Sequence, residues 1–168
     1  MQFTKIYFDM DGVLVDFDRG VEELAHHESL NQGISTDETD SEMWDAVRTV
    51  DHFYARLEPM EGALELFHRL DQKYPGTCEI LTGVPKPRRR IAHAAEDKKE
   101  WIRAHLGAEV IVHTVYKEEK KNFCTGPESV LIDDFDRNIN AWKACGGTGI
   151  LYRHGETDVE EILSTLER

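Results

Sequence analysis

Two carboxylates stand two residues apart just beyond an apolar run near the start of the chain, in Phe8-Asp9-Met10-Asp11-Gly12-Val13. Acidic residues at the carboxyl end of a buried strand sit where open parallel sheets build their sites. If the extended geometry persists, alternate residues face one crevice, so Asp9 and Asp11 can share it. Both ionised, they repel unless a cation lies between them or one keeps a proton. Asp-Gly is also a common turn pair, so the motif alone leaves a purely structural reading open. A second acidic pair, Asp133-Asp134, follows the apolar run Val130-Leu131-Ile132. Adjacent carboxylates tolerate burial only with compensation, and Mg²⁺, which prefers oxygen ligands, is the obvious partner. Thr82-Gly83 ends another apolar run, where a hydroxyl and free backbone N–H groups can form a small anion nest. Lys117, Lys120 and Lys121 precede the run at 130.

These residues need elements to hold them. Short apolar runs alternate with helical periodicity. Lys5-Ile6-Tyr7-Phe8, Glu79-Ile80-Leu81-Thr82, Val110-Ile111-Val112, Val130-Leu131-Ile132 and Gly149-Ile150-Leu151-Tyr152 read as strands. Helical faces lie between them: Ala63, Leu64, Phe67 and Leu70; Trp101, Ile102 and Leu106; Ile139, Trp142 and Cys145, closed by Gly146-Gly147. A last helix opens at a capping box, Thr157-Asp158-Val159-Glu160. Strands too continuously apolar for a half-solvated sheet imply a parallel α/β sheet covered on both faces. The rhythm breaks between residues 17 and 57. There Val21, Leu24 and Leu30 suggest one helix, and Met43, Trp44 and Val47 a second with Asp40 or Ser41 as N-cap. A loop over 31–37 separates them. The expected organisation is a catalytic core, residues 1–16 and 58–168, with a small helical cap over 17–57.

The 168 residues hold 20 Lys and Arg against 33 Asp and Glu, a net charge of −13. That balance disfavours a nucleic-acid polymer or an anionic membrane as partner. No run approaches the roughly 20 apolar residues that span a bilayer, and the first residues lack the layout of a secretory signal. Cys78, Cys124 and Cys145 have no metal-like spacing and suit a reducing cytoplasm. The eight histidines show no ligand pattern. Charge is segregated: residues 17–50 carry nine carboxylates against two arginines, whereas 82–101 carries six cations against three carboxylates. A small anionic substrate is compatible with the second segment.

Taken in order, Asp9-x-Asp11-Gly12-Val13, then Thr82, then a lysine at a helix start, then Asp133-Asp134 resemble the four motifs of the haloacid dehalogenase (HAD) phosphohydrolase superfamily. Residues 51–59 with Gly62-Ala63, 97–102 with Gly107, and 131–134 are similar to the 5′(3′)-deoxyribonucleotidases and their bacterial relatives. The resemblance implies a Rossmann-like, five-stranded parallel sheet with helices on both faces and a cap inserted after the first strand. It implies a Mg²⁺-dependent phosphomonoesterase acting on a small phosphorylated metabolite, a (deoxy)nucleoside monophosphate above all. Asp9 would be the nucleophile, Asp11 the acid and base. Asp9, the Asp11 main-chain carbonyl and Asp134 would hold the metal, with Asp133 behind them. Thr82 and Gly83 would bind phosphoryl oxygens, and Lys98 falls where the nucleotidases carry another phosphate-contacting lysine. For the motif-three lysine, Lys121 is favoured over Lys120 because Phe123 and Cys124 follow it. Phe17 and Trp44 would offer apolar faces to a base. The chain departs from the animal enzymes in having Gly83 where they have serine, and in a shorter insertion and a basic run at 86–90. A sugar-phosphate phosphatase or phosphomutase shares every motif and differs in the cap. A fold kept for binding without turnover is a further alternative. A signalling receiver domain needs an aspartate after strand three, where this chain has Val112-His113-Thr114.

Overall fold

The computed structural model describes residues 2–24 and 37–168. The apolar runs become β1 (Lys5–Phe8), β2 (Cys78–Gly83), β3 (Val112–Val115), β4 (Ser129–Asp133) and β5 (Thr148–Leu151). They form one five-stranded sheet in the order β3-β2-β1-β4-β5, with every neighbouring pair parallel. Helices α1 (Phe17–Glu22) and α2 (Asp37–Arg48), a 3₁₀ turn (Phe53–Arg56) and α3 (Ala63–Lys73) separate β1 from β2. Helix α4 (Ala94–His105) leads to β3, a 3₁₀ segment (Lys117–Phe123) to β4, α5 (Asp136–Ala144) to β5, and α6 (Val159–Glu167) ends the chain. This is the parallel α/β sheet that the apolar runs imply, in the Rossmann-like arrangement that the family resemblance implies.

The sheet is covered on both faces, which is why its strands read as unbroken apolar runs. Ile6, Phe8, Ile80, Val130 and Ile132 pack against α3, α4 and α6 through Phe67, Leu70, Trp101, Ile102, Ile162 and Leu166. On the other face Tyr7, Leu81 and Leu131 meet Ile139 and Trp142 of α5. Both buried tryptophans satisfy their N–H groups, Trp101 at the Leu57 carbonyl (2.8 Å) and Trp142 at the Ser129 carbonyl (3.1 Å). The chain leaves β1 for β2 on one side, while β4 flanks it on the other. A crevice therefore opens beyond the carboxyl ends of β1 and β4, the switch point at which such sheets bind ligands. Among the described residues no helix is long and apolar enough to cross a membrane.

Four local expectations are corrected. The third strand is Val112–Val115 rather than Val110–Val112, because β3 pairs Ile80–Gly83 with residues 112–115. Ile111 is left 53% exposed at the sheet edge, so the ladder partner, not β-propensity, decides the strand. Helix α2 starts at Asp37, and Asp40 and Ser41 lie inside it. The N-cap of α6 is Asp158, whose carboxylate accepts from the Glu160 N–H, while Thr157 accepts from the Arg153 N–H. Cys145 is exposed and fills no core. Leu30, His26-His27 and the loop expected at 31–36 lie outside the described residues.

On the α5 face, where only a 3₁₀ segment joins β3 to β4, β2 carries a buried carboxylate, Glu79. Burial alone would raise its pKa; hydrogen bonds from Lys5 and His113 (2.7 Å for the latter) more than offset this and lower it below 4.5. A depressed native pKa adds stability that is present above the unfolded value and is lost as pH falls through the native one. Glu79→Gln is accordingly expected to cost about 1–3 kcal/mol at pH 7 in urea denaturation. The gap from wild type should shrink as pH is lowered below 4.5; a gap independent of pH would contradict this account.

Candidate active site

Parallel pairing of β1 with β4 sets Phe8 beside Ile132, so the next residues, Asp9 and Asp133, emerge side by side. The Asp9 N–H donates to the Ile132 carbonyl (2.9 Å), which keeps the ladder intact up to the carboxylate. Asp9 is 7% exposed and Asp133 fully buried. Between them stands Lys120, whose Nζ donates to Asp9 Oδ1 and to Asp133 Oδ2, 2.8 Å in each case. Asp133 also accepts from the Phe135 N–H (2.9 Å) and from Asn138 Nδ2 (3.0 Å) at the start of α5. The burial of this ammonium group would lower its pKa; the two carboxylates reverse that and raise it.

The lysine at the site is thus Lys120, and the expectation for Lys121, which is exposed, is corrected. Lysines 117, 120 and 121 lie on a 3₁₀ segment, where residues three apart share a face. Phe123 packs on the sheet against Tyr7, so position 120 faces inward and position 121 does not. A period of three counted back from Phe123 carries that signal in the sequence.

A second lysine, Lys98 of α4, is completely buried. It donates to Asp11 Oδ2 (2.9 Å), Thr82 Oγ1 (3.0 Å) and the Gly83 carbonyl (2.7 Å). All three of its protons are engaged within the protein. Lys98 therefore holds Asp11 and Thr82 in place rather than presenting an open cation to a ligand. Its ammonium lies 4.5 Å from the ring centroid of Tyr54. Asp11 Oδ1, by contrast, is buried with no hydrogen-bond partner among the described residues.

Asp9, Asp133 and Asp134 each offer an oxygen within 4.8 Å of the other two. Burial first, then Asp133, pushes Asp9 up to about 7, even with Lys120 pulling the other way. Burial, then Asp9 and Asp133, pushes Asp134 up to about 8. The carboxylate cluster itself is short of positive charge, and an all-oxygen donor set of this kind suits a hard divalent ion such as Mg²⁺. Gly12 leaves room for it: at φ +82° only glycine is unstrained, and a Cβ there would collide with the Asp134 carboxylate.

Asp9, Asp11, Gly83, Lys120 and Asp134 line a cleft of about 560 Å³ whose other walls include Phe17, Trp44 and Tyr54, whereas Thr82, Lys98 and Asp133 are fully buried behind that lining. Of the expected base-stacking pair, Phe17 packs within an aromatic group, 6.2 Å from Trp44, 5.8 Å from Phe53 and stacked on Tyr54 at 6.0 Å. Trp44 has the Arg89 guanidinium 6.0 Å from its centroid. Tyr54, Tyr116, Phe135 and Asn138 also line the cleft and had not been singled out. Only Tyr54 had a sequence signal, its place in the family-like stretch at 51–59.

A sequence model of the family described as 5′ nucleotidase, deoxy (pyrimidine), cytosolic type C protein matches residues 3–157. A "Putative 5′(3′)-deoxyribonucleotidase" of Vibrio phage KVP40 is 28% identical over 134 residues, 79% of this chain and 67% of its own length. A haloacid dehalogenase-like hydrolase from Streptococcus pneumoniae superposes with a TM-score of 0.63 at 13% identity, over 98% of both chains. A HAD family enzyme from Bacteroides thetaiotaomicron, solved with magnesium and inorganic phosphate, superposes with a TM-score of 0.54 at 16% identity, over 99% of this chain and all of its own. At such identities the two structures speak for the fold.

Removing the ammonium group between two buried carboxylates should be far costlier than removing an exposed one. Lys120→Gln is expected to lower unfolding stability by about 3 kcal/mol, and Lys121→Gln by no more than about 0.5 kcal/mol. Urea titrations of the two variants check this; equal losses would mean that Lys120 does not bridge Asp9 and Asp133.

Proposed function

Because the chain belongs to the 5′ nucleotidase, deoxy (pyrimidine), cytosolic type C family of HAD-like phosphohydrolases, we propose that it hydrolyses (deoxy)nucleoside monophosphates through an aspartyl-phosphate on Asp9. The observation that supports this most is the unequal use of the oxygens of Asp11. Lys98 occupies Oδ2, and Oδ1 is buried without a partner among the described residues. An oxygen so placed suits a group that must carry a proton at one stage and release it at the next.

An oxygen of Asp9 attacks phosphorus and the bond to the ester oxygen breaks in line. Asp11 gives its proton to the departing alkoxide. Asp11 then takes a proton from the water that attacks the phosphoryl group on Asp9, which frees inorganic phosphate and restores the carboxylate. Lys120, fixed on Oδ1 of Asp9, orients the nucleophile and offsets part of its charge. Thr82, held by Lys98, stands at the end of β2 for the phosphoryl oxygens. Asp9, Asp134 and the Asp11 carbonyl would hold Mg²⁺, with Asp133 supporting them; bound there, the ion would let a carboxylate approach a phosphate dianion. Residues 17–57 act as the cap, supplying Phe17, Trp44 and Tyr54 toward the nucleoside. Three free cysteines suit a reducing cytoplasm.

The test is phosphate release from deoxy- and ribonucleoside monophosphates, sugar phosphates and p-nitrophenyl phosphate. Nucleotides are expected to be the best substrates, with turnover abolished by EDTA and restored by Mg²⁺. Asp9→Asn should reduce kcat by at least about 1000-fold, and Asp11→Asn by about 100-fold or more. Turnover indifferent to EDTA counts against the metal, and a clear win for sugar phosphates counts against nucleotides as substrates.

A further inference from the structure

Lys120, which lines the cleft, and the fully buried Lys98 have carboxylate partners within the protein: Lys98 has Asp11, and Lys120 has Asp9 and Asp133. A second set of cations lines the same cleft: Lys86, Arg88, Arg89 and Lys117. Lys86 pairs with Glu118. Arg88, Arg89 and Lys117 have no carboxylate partner among the described residues. Two of them lie over aromatic rings of the cleft instead, Arg89 6.0 Å from the centroid of Trp44 and Lys117 5.3 Å from that of Phe135. In a chain of net charge −13, three cations around one cleft with no salt bridge among the described residues need an explanation; only Lys117 has a carboxylate near enough to feel its charge, that of Glu118, which Lys86 already pairs.

Their position supplies one. The carboxylates come from β1 and β4, whereas Arg88 and Arg89 follow β2, and Lys117 follows β3 on the opposite side of the sheet order. Lys117 stands beside the end of β2: a Cβ added to Gly83 would lie 3.5 Å from the Lys117 Cβ. Arg89 is anchored, since Arg48 of α2 donates to its carbonyl from Nε (3.1 Å) and Nη2 (2.6 Å). The wall facing the reacting carboxylates is thus positive and partly fixed to the cap.

We infer that the preferred substrate is a nucleotide with a second phosphate on its sugar, a nucleoside 3′,5′-bisphosphate. Its 5′-phosphate is cleaved at Asp9 while the other is held by Arg88, Arg89 and Lys117. This rests on the nucleotidase reading and narrows it. A phosphate that draws Arg89 off Trp44 also frees that ring for the base, so the two contacts reinforce each other. The reaction remains simple hydrolysis: water supplies the oxygen, and the products are inorganic phosphate and a nucleoside 3′-monophosphate.

The experiment compares kcat/KM for thymidine 5′-monophosphate and thymidine 3′,5′-bisphosphate at saturating Mg²⁺, with products identified by chromatography. The bisphosphate is expected to be favoured by at least about tenfold at low ionic strength, with the advantage eroded by salt. In an Arg88→Gln/Lys117→Gln double variant, checked for folding by circular dichroism, the ratio should fall toward one. A ratio of one or less in the wild type, or one that the double variant leaves unchanged, overturns the inference while the nucleotidase reading stands. If neither nucleotide is cleaved and a sugar phosphate is, the nucleotidase reading fails and this inference with it.

Discussion

The site depends on a single shared cation. Adjacent parallel strands lie about 4.8 Å apart, so a register that sets Phe8 beside Ile132 forces Asp9 and Asp133 into close company. Two charges at about 4 Å repel by about 4 kcal/mol at an effective dielectric of 20. Lys120 turns that repulsion into a pair of 2.8 Å charge-assisted bonds. It does not finish the task, because Asp134 joins the cluster with no lysine of its own among the described contacts. The remaining excess appears as acids held near neutral pH, Asp9 at about 7 and Asp134 at about 8. A structural ion pair would have left no such excess. An all-oxygen cluster with such an excess of negative charge is chemically suited to a divalent ion.

Helix α4 extends the same logic to the second acid. Three of its first eight residues point to different tasks. Asp97 is buried and meets His52 Nδ1 at 2.7 Å, Lys98 reaches Asp11, and Trp101 donates to the Leu57 carbonyl. The helix is thereby tied to residues 52–57 at two points that flank the lysine. Burial of Tyr54 under the Lys98 ammonium closes the arrangement. Asp11 is positioned by a side chain that Thr82, Gly83 and Tyr54 also hold, so the geometry of that carboxylate and the seating of residues 52–57 are linked.

The residues legible in the sequence were those whose role follows from periodicity or charge repulsion. Apolar runs gave all five strands, and acidic pairs beyond two of them gave the crevice. Lys120 ranks behind Lys121 on the sequence because Phe123-Cys124 follows as a motif, whereas the 3₁₀ period of three decides which lysine points inward. The third strand was misplaced by the β-branched run Val110-Ile111-Val112, since only pairing with β2 sets the register at the sheet edge. The role of Lys98 changed for a different reason. Sequence shows a lysine at the right place, but only coordinates show that its three protons are already engaged. The segment between β1 and α3 was least legible, because its aromatic residues contact one another and Arg89 as much as the cleft.

Net charge and local charge act on different length scales, which reconciles an acidic chain with an anionic substrate. At physiological ionic strength fields decay over about 8 Å, so the carboxylates of the distant surface contribute little inside the cleft. What a phosphate meets there is set by the walls within a few ångströms: carboxylates from β1 and β4 on one side, cations from the β2 and β3 loops on the other. An Arg48 side chain from the acidic segment grips the backbone of the basic loop, not its charge. The grip fixes Arg89 without neutralising it. Tethering through a carbonyl keeps the positive wall available, and that choice of contact separates a basic loop that is merely solvated from one arranged to receive an anion.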